Sequence, residues 1–188
     1  MEFDFYIIKM YLTKSKYLYL IWGQNDFEDI LLLDSKKNIL GFSTLKLIKQ
    51  INKIDTEVLL FEKITNYKGL FQNDIAFYSI IEVTNILNKG IIIQNFSKDE
   101  YTVLVNFFNL VTDYFYQIKI KKYLSILENK NIKMFFDYYY DKHFWKSTDK
   151  KSEIDNGINE FQYNDFYIQF FQLINIFEKK IKIITRFD

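Results

Sequence analysis

The chain has 188 residues, 49 % hydrophobic and 26 % charged, with a formal net charge of +1. That composition is globular and lies away from the disordered class, and the near-neutral balance argues against a protein that grips nucleic acid through its phosphates. The absence of cysteine removes disulfides, thiolate catalysis and zinc–thiolate sites together. Ile, Asn, Lys, Phe and Tyr dominate, Arg186 is the one arginine and Ala76 the one alanine, so the residues encoded by AT-rich codons are favoured throughout. The 20 % aromatic content therefore reads first as coding bias and only second as a sign of a stacking surface.

In chain order, Phe5–Leu12 and Tyr17–Trp22 are β-branched and aromatic runs joined by the polar connection Thr13 to Lys16, which predicts a hairpin. Gln24–Asp29 reads as an acidic loop. Ile30–Leu33 and Ile39–Phe42 flank Asp34, Ser35, Lys36, Lys37 and Asn38, turn chemistry for a second hairpin. Ser43 or Thr44 can cap a short helix carrying Leu45, Ile48 and Ile51, and Glu57–Phe61 suggests another strand. Residues 1–62 thus read as an antiparallel meander with a short helix across it.

The remainder, 63–188, reads as mainly helical. Ile75–Leu87 predicts a helix ended by Asn88, Lys89 and Gly90, with a brief strand at Ile91–Ile93. Ser97 and Glu100 have capping-box spacing, and Tyr101, Leu104, Phe108, Val111, Phe115 and Ile118 repeat behind them at helical steps. Phe107 and Tyr114 widen that stripe, and Thr102, Asn106, Asn109 and Asp113 fall on the opposite, polar side. Tyr123–Leu127 and Ile132–Tyr140 suggest two helices broken at Asn129, Lys130 and Asn131. Ser147–Asn159 reads as a loop, Asp165–Glu178 as a helix, and Ile181–Phe187 as a final strand or the end of that helix. The expected fold is α+β: an N-terminal antiparallel β-meander with a short helix, packed against a mainly α-helical C-terminal part, in one domain spanning 1–188.

No apolar run reaches the ~18–20 residues a membrane span needs, and the acidic N-terminus lacks the basic start of a signal peptide. The expectation is a cytoplasmic protein without a membrane partner.

The parts of an enzyme are scarce. His143 is the sole histidine; with Asp137 and Asp141 it forms a D-x3-D-x-H cluster whose helical spacing places the two carboxylates on one face and the imidazole elsewhere. The glycines stand singly, so no phosphate-cradling loop is present. Lys119, Lys121, Lys122, Lys130 and Lys133 form a basic stretch, which reads as a solvated helical face more readily than as a nucleic-acid contact. The alternative reading, a nucleic-acid-binding protein or metal-dependent nuclease, would use the Lys119–Lys133 stretch with Asp137, Asp141 and His143. No catalytic residue, metal or cofactor is assigned, and no nucleic-acid partner is expected.

The acidic stretches carry the preferred reading. Asp26, Glu28, Asp29 and Asp34 form one stretch, its first three members beside Trp22 and Phe27, and a second group comprises Glu153, Asp155, Glu160 and Asp165. Charges of this kind steer a basic protein partner, and aromatics beside them become anchors once desolvated. The block YLYLIWGQNDFEDILLLDSKKNILGFSTLKLIKQI, with its strand, acidic turn, LLD…KNILGFSTL wording and helix, resembles the immunity proteins of bacterial polymorphic toxin systems, including contact-dependent growth inhibition. The NFFNLVTDYFYQI core of the long helix is similar to one that some of them carry. The resemblance implies a small cytoplasmic protein that binds and neutralises a cognate toxin domain, commonly a nuclease with a basic cleft.

Overall fold

A computed structural model describes residues 4–51, 74–90, 93–143 and 160–186. Strands β1 (Asp4–Tyr11) and β2 (Tyr17–Gln24) pair antiparallel in continuous register from Asp4 opposite Gln24 to Tyr11 opposite Tyr17. Their turn closes where the Leu12 amide donates to the Lys16 carbonyl at 2.9 Å and the Lys16 amide donates to Thr13 Oγ1 at 3.1 Å. Strands β3 (Asp29–Leu31) and β4 (Ile39–Phe42) both pair with β2, and the bridge between Leu33 and Ile39 closes the second hairpin. Asp34 organises that turn by accepting from the Lys36 and Asn38 amides at 3.0 and 2.8 Å, and Lys37 takes the left-handed conformation at φ 63°. Helix α1 (Leu45–Ile48) is capped by Thr44, not Ser43.

The sheet extends beyond the expected meander. Its order is β5-β1-β2-β4-β6, with β3 beside β2. The two outer strands come from distant sequence and run parallel to their neighbours: β5 (Ala76–Ser79) along β1, and β6 (Ile181–Ile184) along β4. The helix expected from Ile75 therefore starts later, as α2 (Ile80–Leu87), because Ser79 caps it by accepting from the Glu82 amide at 3.1 Å while the residues before it extend along β1. The C-terminal run resolves as a strand. Of the strand expected at Ile91–Ile93, residues 91 and 92 lie outside the described residues, and Ile93 opens a 3₁₀ turn over Ile93–Asn95.

The long helix α3 (Lys98–Ile118) carries the full Ser97/Glu100 capping box, and Lys119 ends it in the left-handed conformation. Helices α4 (Lys121–Leu127), α5 (Lys130–His143) and α6 (Tyr163–Lys179) follow. The break between α4 and α5 is held by polar side chains. Asn129 Oδ1 caps α5 through the Asn131 amide at 2.8 Å, and the buried Asn131 donates to Asp165 at 2.7 Å while accepting from the Gln162 amide. A buried amide satisfied on both ends in this way ties the start of α5 to the start of α6.

Alternation along the strands buries both faces of the sheet. Ile8, Met10, Leu20, Leu31 and Ile39 join the helical layer in one core with Val83, Leu104, Val111, Phe170 and Phe177. Phe5, Ile7, Tyr19, Ile21, Leu40 and Phe42 form a second core with Leu47, Ile48 and Ile51. Gly41 is required where β4 passes β6, since a Cβ there would stand 2.8 Å from Ile181 Cγ2. The chain is thus α+β, with N-terminal antiparallel strands and a mainly helical C-terminal part. No helix among the described residues is long and apolar enough to cross a membrane. The expected strand Glu57–Phe61 and the expected loop Ser147–Asn159 lie outside the described residues.

Candidate functional site

The acidic loop is a tight connection between β2 and β3, built by one asparagine. Asn25 Oδ1 accepts from the Phe27 and Glu28 amides at 2.8 and 2.9 Å, and the Asn25 amide donates to the Glu28 carbonyl at 3.2 Å. These bonds fix three amides of the turn, and Phe27 stands 76 % exposed between exposed Asp26 and Glu28. An aromatic ring held this far into solvent by a rigid turn is available as an anchor.

Asp29, the first residue of β3, faces the last turns of α3 across an open cleft of about 670 Å³. Phe27, Glu28, Asp29, Asp113, Tyr116 and Lys119 are among its walls. Gln117 fixes the two sides. Its Oε1 accepts from the Leu31 amide and its Nε2 donates to the Leu31 carbonyl, both at 2.9 Å, so one side chain replaces a neighbouring strand at the open edge of β3. Tyr114 Oη donates to the Lys37 carbonyl at 2.8 Å, and Lys37 Nζ donates to the Ile118 carbonyl at 3.0 Å, fastening the end of α3 to the second hairpin turn.

The electrostatics of the cleft are set by two carboxylates with too little compensation. Burial raises the Asp29 carboxyl above the usual range, and a hydrogen bond from Gln24 offsets this only in part. Burial, and then the Asp29 charge, push Asp113 up to about 7. Burial and the charges of Asp113 and Asp29 also raise the Tyr78 hydroxyl. Lys119 is exposed at the lip and forms no ion pair with either carboxylate among the described residues.

A stability change follows directly. Folded Asp113 holds a proton that the unfolded chain releases near pH 4, so stability falls as pH rises from about 4 to 7 and is level above that. Asp113→Asn keeps the shape without the charge. It is expected to stabilise the protein at about pH 8 by about 1–2 kcal/mol after solvent screening, with little change at about pH 4. Urea denaturation at both pH values reads this; an equal effect at both would remove the buried charge as its cause.

The other anticipated residues are placed differently. Trp22 lies on β2, half-buried against Tyr6 with ring centroids 5.5 Å apart, and is not a wall of the cleft; its indole Nε1 is buried without an acceptor among the described residues. Glu160 is exposed and ion-paired with Lys130, whose hydrogen bond and charge hold the carboxyl below its usual range. Glu153 and Asp155 lie outside the described residues. Lys133 pairs with Glu128, so two lysines of the basic stretch already have carboxylate partners. Asp137 and Asp141 stand one turn apart on α5, and the side chain of His143 lies outside the described set. Among the described residues no group of three or more histidine or carboxylate side chains is placed to hold a metal ion. Sequence reasoning missed Asp113, Tyr116 and Gln117. Asp113 falls on the polar side of the α3 stripe, and only the approach of β3 turns that side into a cleft wall.

The site sits on an α+β scaffold that no family model matches, and no curated protein matches the sequence. Among solved structures, the chain is similar to the C-terminal domain of SatS, crystallised in complex with bromine. The TM-score is 0.61 at 13 % identity, over 96 % of this chain and 94 % of that one. At that identity the likeness is one of fold.

Proposed function

We propose that this protein is an immunity protein: a cytoplasmic binding protein that neutralises one cognate toxin domain by docking its β2–β3 turn and the adjoining cleft onto a basic face of that toxin. The observation that carries the reading is Phe27, 76 % exposed on a turn rigidified by Asn25 and flanked by Asp26 and Glu28. The exposed carboxylates accelerate encounter with a cationic surface, and Phe27 gains its energy when the interface closes over it. Stable inhibition of this kind buries roughly 1,200–2,000 Å² in total, which the turn, the cleft and their surroundings would share. Glu160 adds little to steering, because Lys130 already offsets its charge. The layout resemblance of the N-terminal block to immunity proteins supports the same reading, and an inhibitor of this type requires no cofactor.

The test is association kinetics with a candidate toxin domain, drawn from whatever secreted protein a search beside the gene for this chain turns up. Asp26→Lys with Glu28→Lys is expected to slow association by about tenfold or more at low salt and to flatten its salt dependence. Phe27→Ala is expected to act mainly on dissociation. Unaltered rates in both variants would remove the turn from the interface.

A further inference from the structure

We propose that the cleft between β3 and α3 is a receptacle for one cationic side chain of the partner protein, an arginine or lysine seated between Phe27 and Tyr116 with its charge on Asp29 and Asp113. This deepens the docking reading above and rests on it for the identity of the partner.

The shape and the chemistry agree. The cleft holds about 670 Å³ and is open to solvent, ample for an arginine side chain. Its lip carries two exposed aromatics from different elements, Phe27 at 76 % and Tyr116 at 56 %. Aromatic faces at the wall of a cleft attract a guanidinium or ammonium. Deeper lie two carboxylates, also from different elements. Neither has an ion pair among the described residues, and each raises the proton affinity of its surroundings, Asp29 acting on Asp113 and both on Tyr78. Two partly buried carboxylates without a counter-charge are unfavourable in the free protein, and the attraction of a single inserted cation offsets their desolvation and their mutual repulsion.

Entry of the cation is coupled to a proton. The charged and titratable groups around Asp113 are Asp29 from β3, Glu28 from the turn, Tyr78 from β5, and Tyr116 and Lys119 from the end of its own helix. Of these only Lys119 is a basic residue, and its side chain is exposed. With Asp113 held near neutrality, a cation arriving at slightly acid pH displaces the carboxyl proton to solvent, whereas at slightly alkaline pH it meets a carboxylate already formed. A group titrating near 7 is ionised in about a tenth of molecules at about pH 6 and about nine-tenths at about pH 8, so binding tightens by about tenfold between them.

The experiment is a nuclear magnetic resonance titration of the full chain with N-acetyl-arginine amide and, as the neutral counterpart of the same shape, N-acetyl-citrulline amide. Saturable shifts at Phe27, Tyr116 and Gln117 are expected with the arginine compound alone, with the tenfold pH dependence above. In Asp113→Asn the affinity is expected to fall and the pH dependence to vanish, while an unchanged spectrum elsewhere reports the intact fold. Equal shifts from both compounds, or arginine binding indifferent to pH, would overturn the receptacle. The two proposals fail separately. A toxin bound equally well by Asp113→Asn and the native protein sinks the receptacle and leaves the docking reading standing. A toxin that does not bind the native protein sinks the docking reading, whatever the arginine titration gives.

Discussion

Phe135→Ala is expected to cost about 3–5 kcal/mol, as truncation of a fully buried phenylalanine does when its surroundings cannot collapse into the space. Phe135 is fully buried at the meeting of α5, α6 and the start of α3. Its ring stacks on Phe166 at 4.9 Å, lies 5.5 Å from Tyr101 and meets Phe96 edge-on at 6.4 Å. Those neighbours are rigid planar rings, which collapse poorly into the space the ring would leave. Domains of this size lose roughly 2–4 °C of melting temperature per kcal/mol, so thermal unfolding by circular dichroism would show a fall of about 6–20 °C. Phe27→Ala is the control: the same deletion at a ring 76 % exposed should change stability by less than about 0.5 kcal/mol. A loss at position 135 as small as that at position 27 would mean the aromatic cluster is loosely packed, and that α5 is not fixed on α6 through it.

That contrast shows what the composition conceals. A chain with 20 Phe and 15 Tyr offers no means of telling a core ring from a contact ring by residue type. Periodicity tells them apart on α3, because a capped helix has a fixed repeat and the ten buried residues of α3 follow it. The first two hairpins were legible for a similar reason: polar turn residues and alternating strands are local signals. Strands β5 and β6 were harder, since what makes Ala76–Ser79 extended is its parallel pairing with Ile8–Tyr11, far away in sequence, and four residues carry no period of their own. The cleft was half legible. Asp26, Phe27, Glu28 and Asp29 declared themselves as an acidic turn with an aromatic in it, but Asp113 and Tyr116 acquire their roles only when α3 docks on β3. The hydrogen bonds that bring this about span 86 residues of sequence.

Those hydrogen bonds support the second large effect. Gln117→Ala is expected to destabilise the protein by about 2–4 kcal/mol, because it strips both the N–H and the C=O of Leu31 of their partners at a part-buried edge. Leu31 cannot recover these bonds from β2, whose ladder continues through the Leu32 amide to the Ile21 carbonyl at 3.0 Å. Water entering from the open cleft can replace them in part, which keeps the cost below that of two groups orphaned in a dry core. The second consequence is geometric. Asp113 lies one helical turn before Gln117 and Tyr116 immediately beside it, so releasing the clamp lets both walls of the cleft drift apart, and affinity for the partner should fall along with stability. Gln117→Glu separates the clamp from simple loss of packing. At about pH 8 its carboxylate sets a negative charge against the Leu31 carbonyl and should be as damaging as alanine. At about pH 4–5 a protonated glutamic acid can donate to the carbonyl and accept from the amide, as the glutamine does, and stability should largely return. Urea denaturation at the two pH values, with hydrogen exchange at the Leu31 amide, reads both effects. If Gln117→Glu behaved alike at acid and alkaline pH and the Leu31 amide stayed protected in Gln117→Ala, the side chain would not be what holds α3 to the sheet.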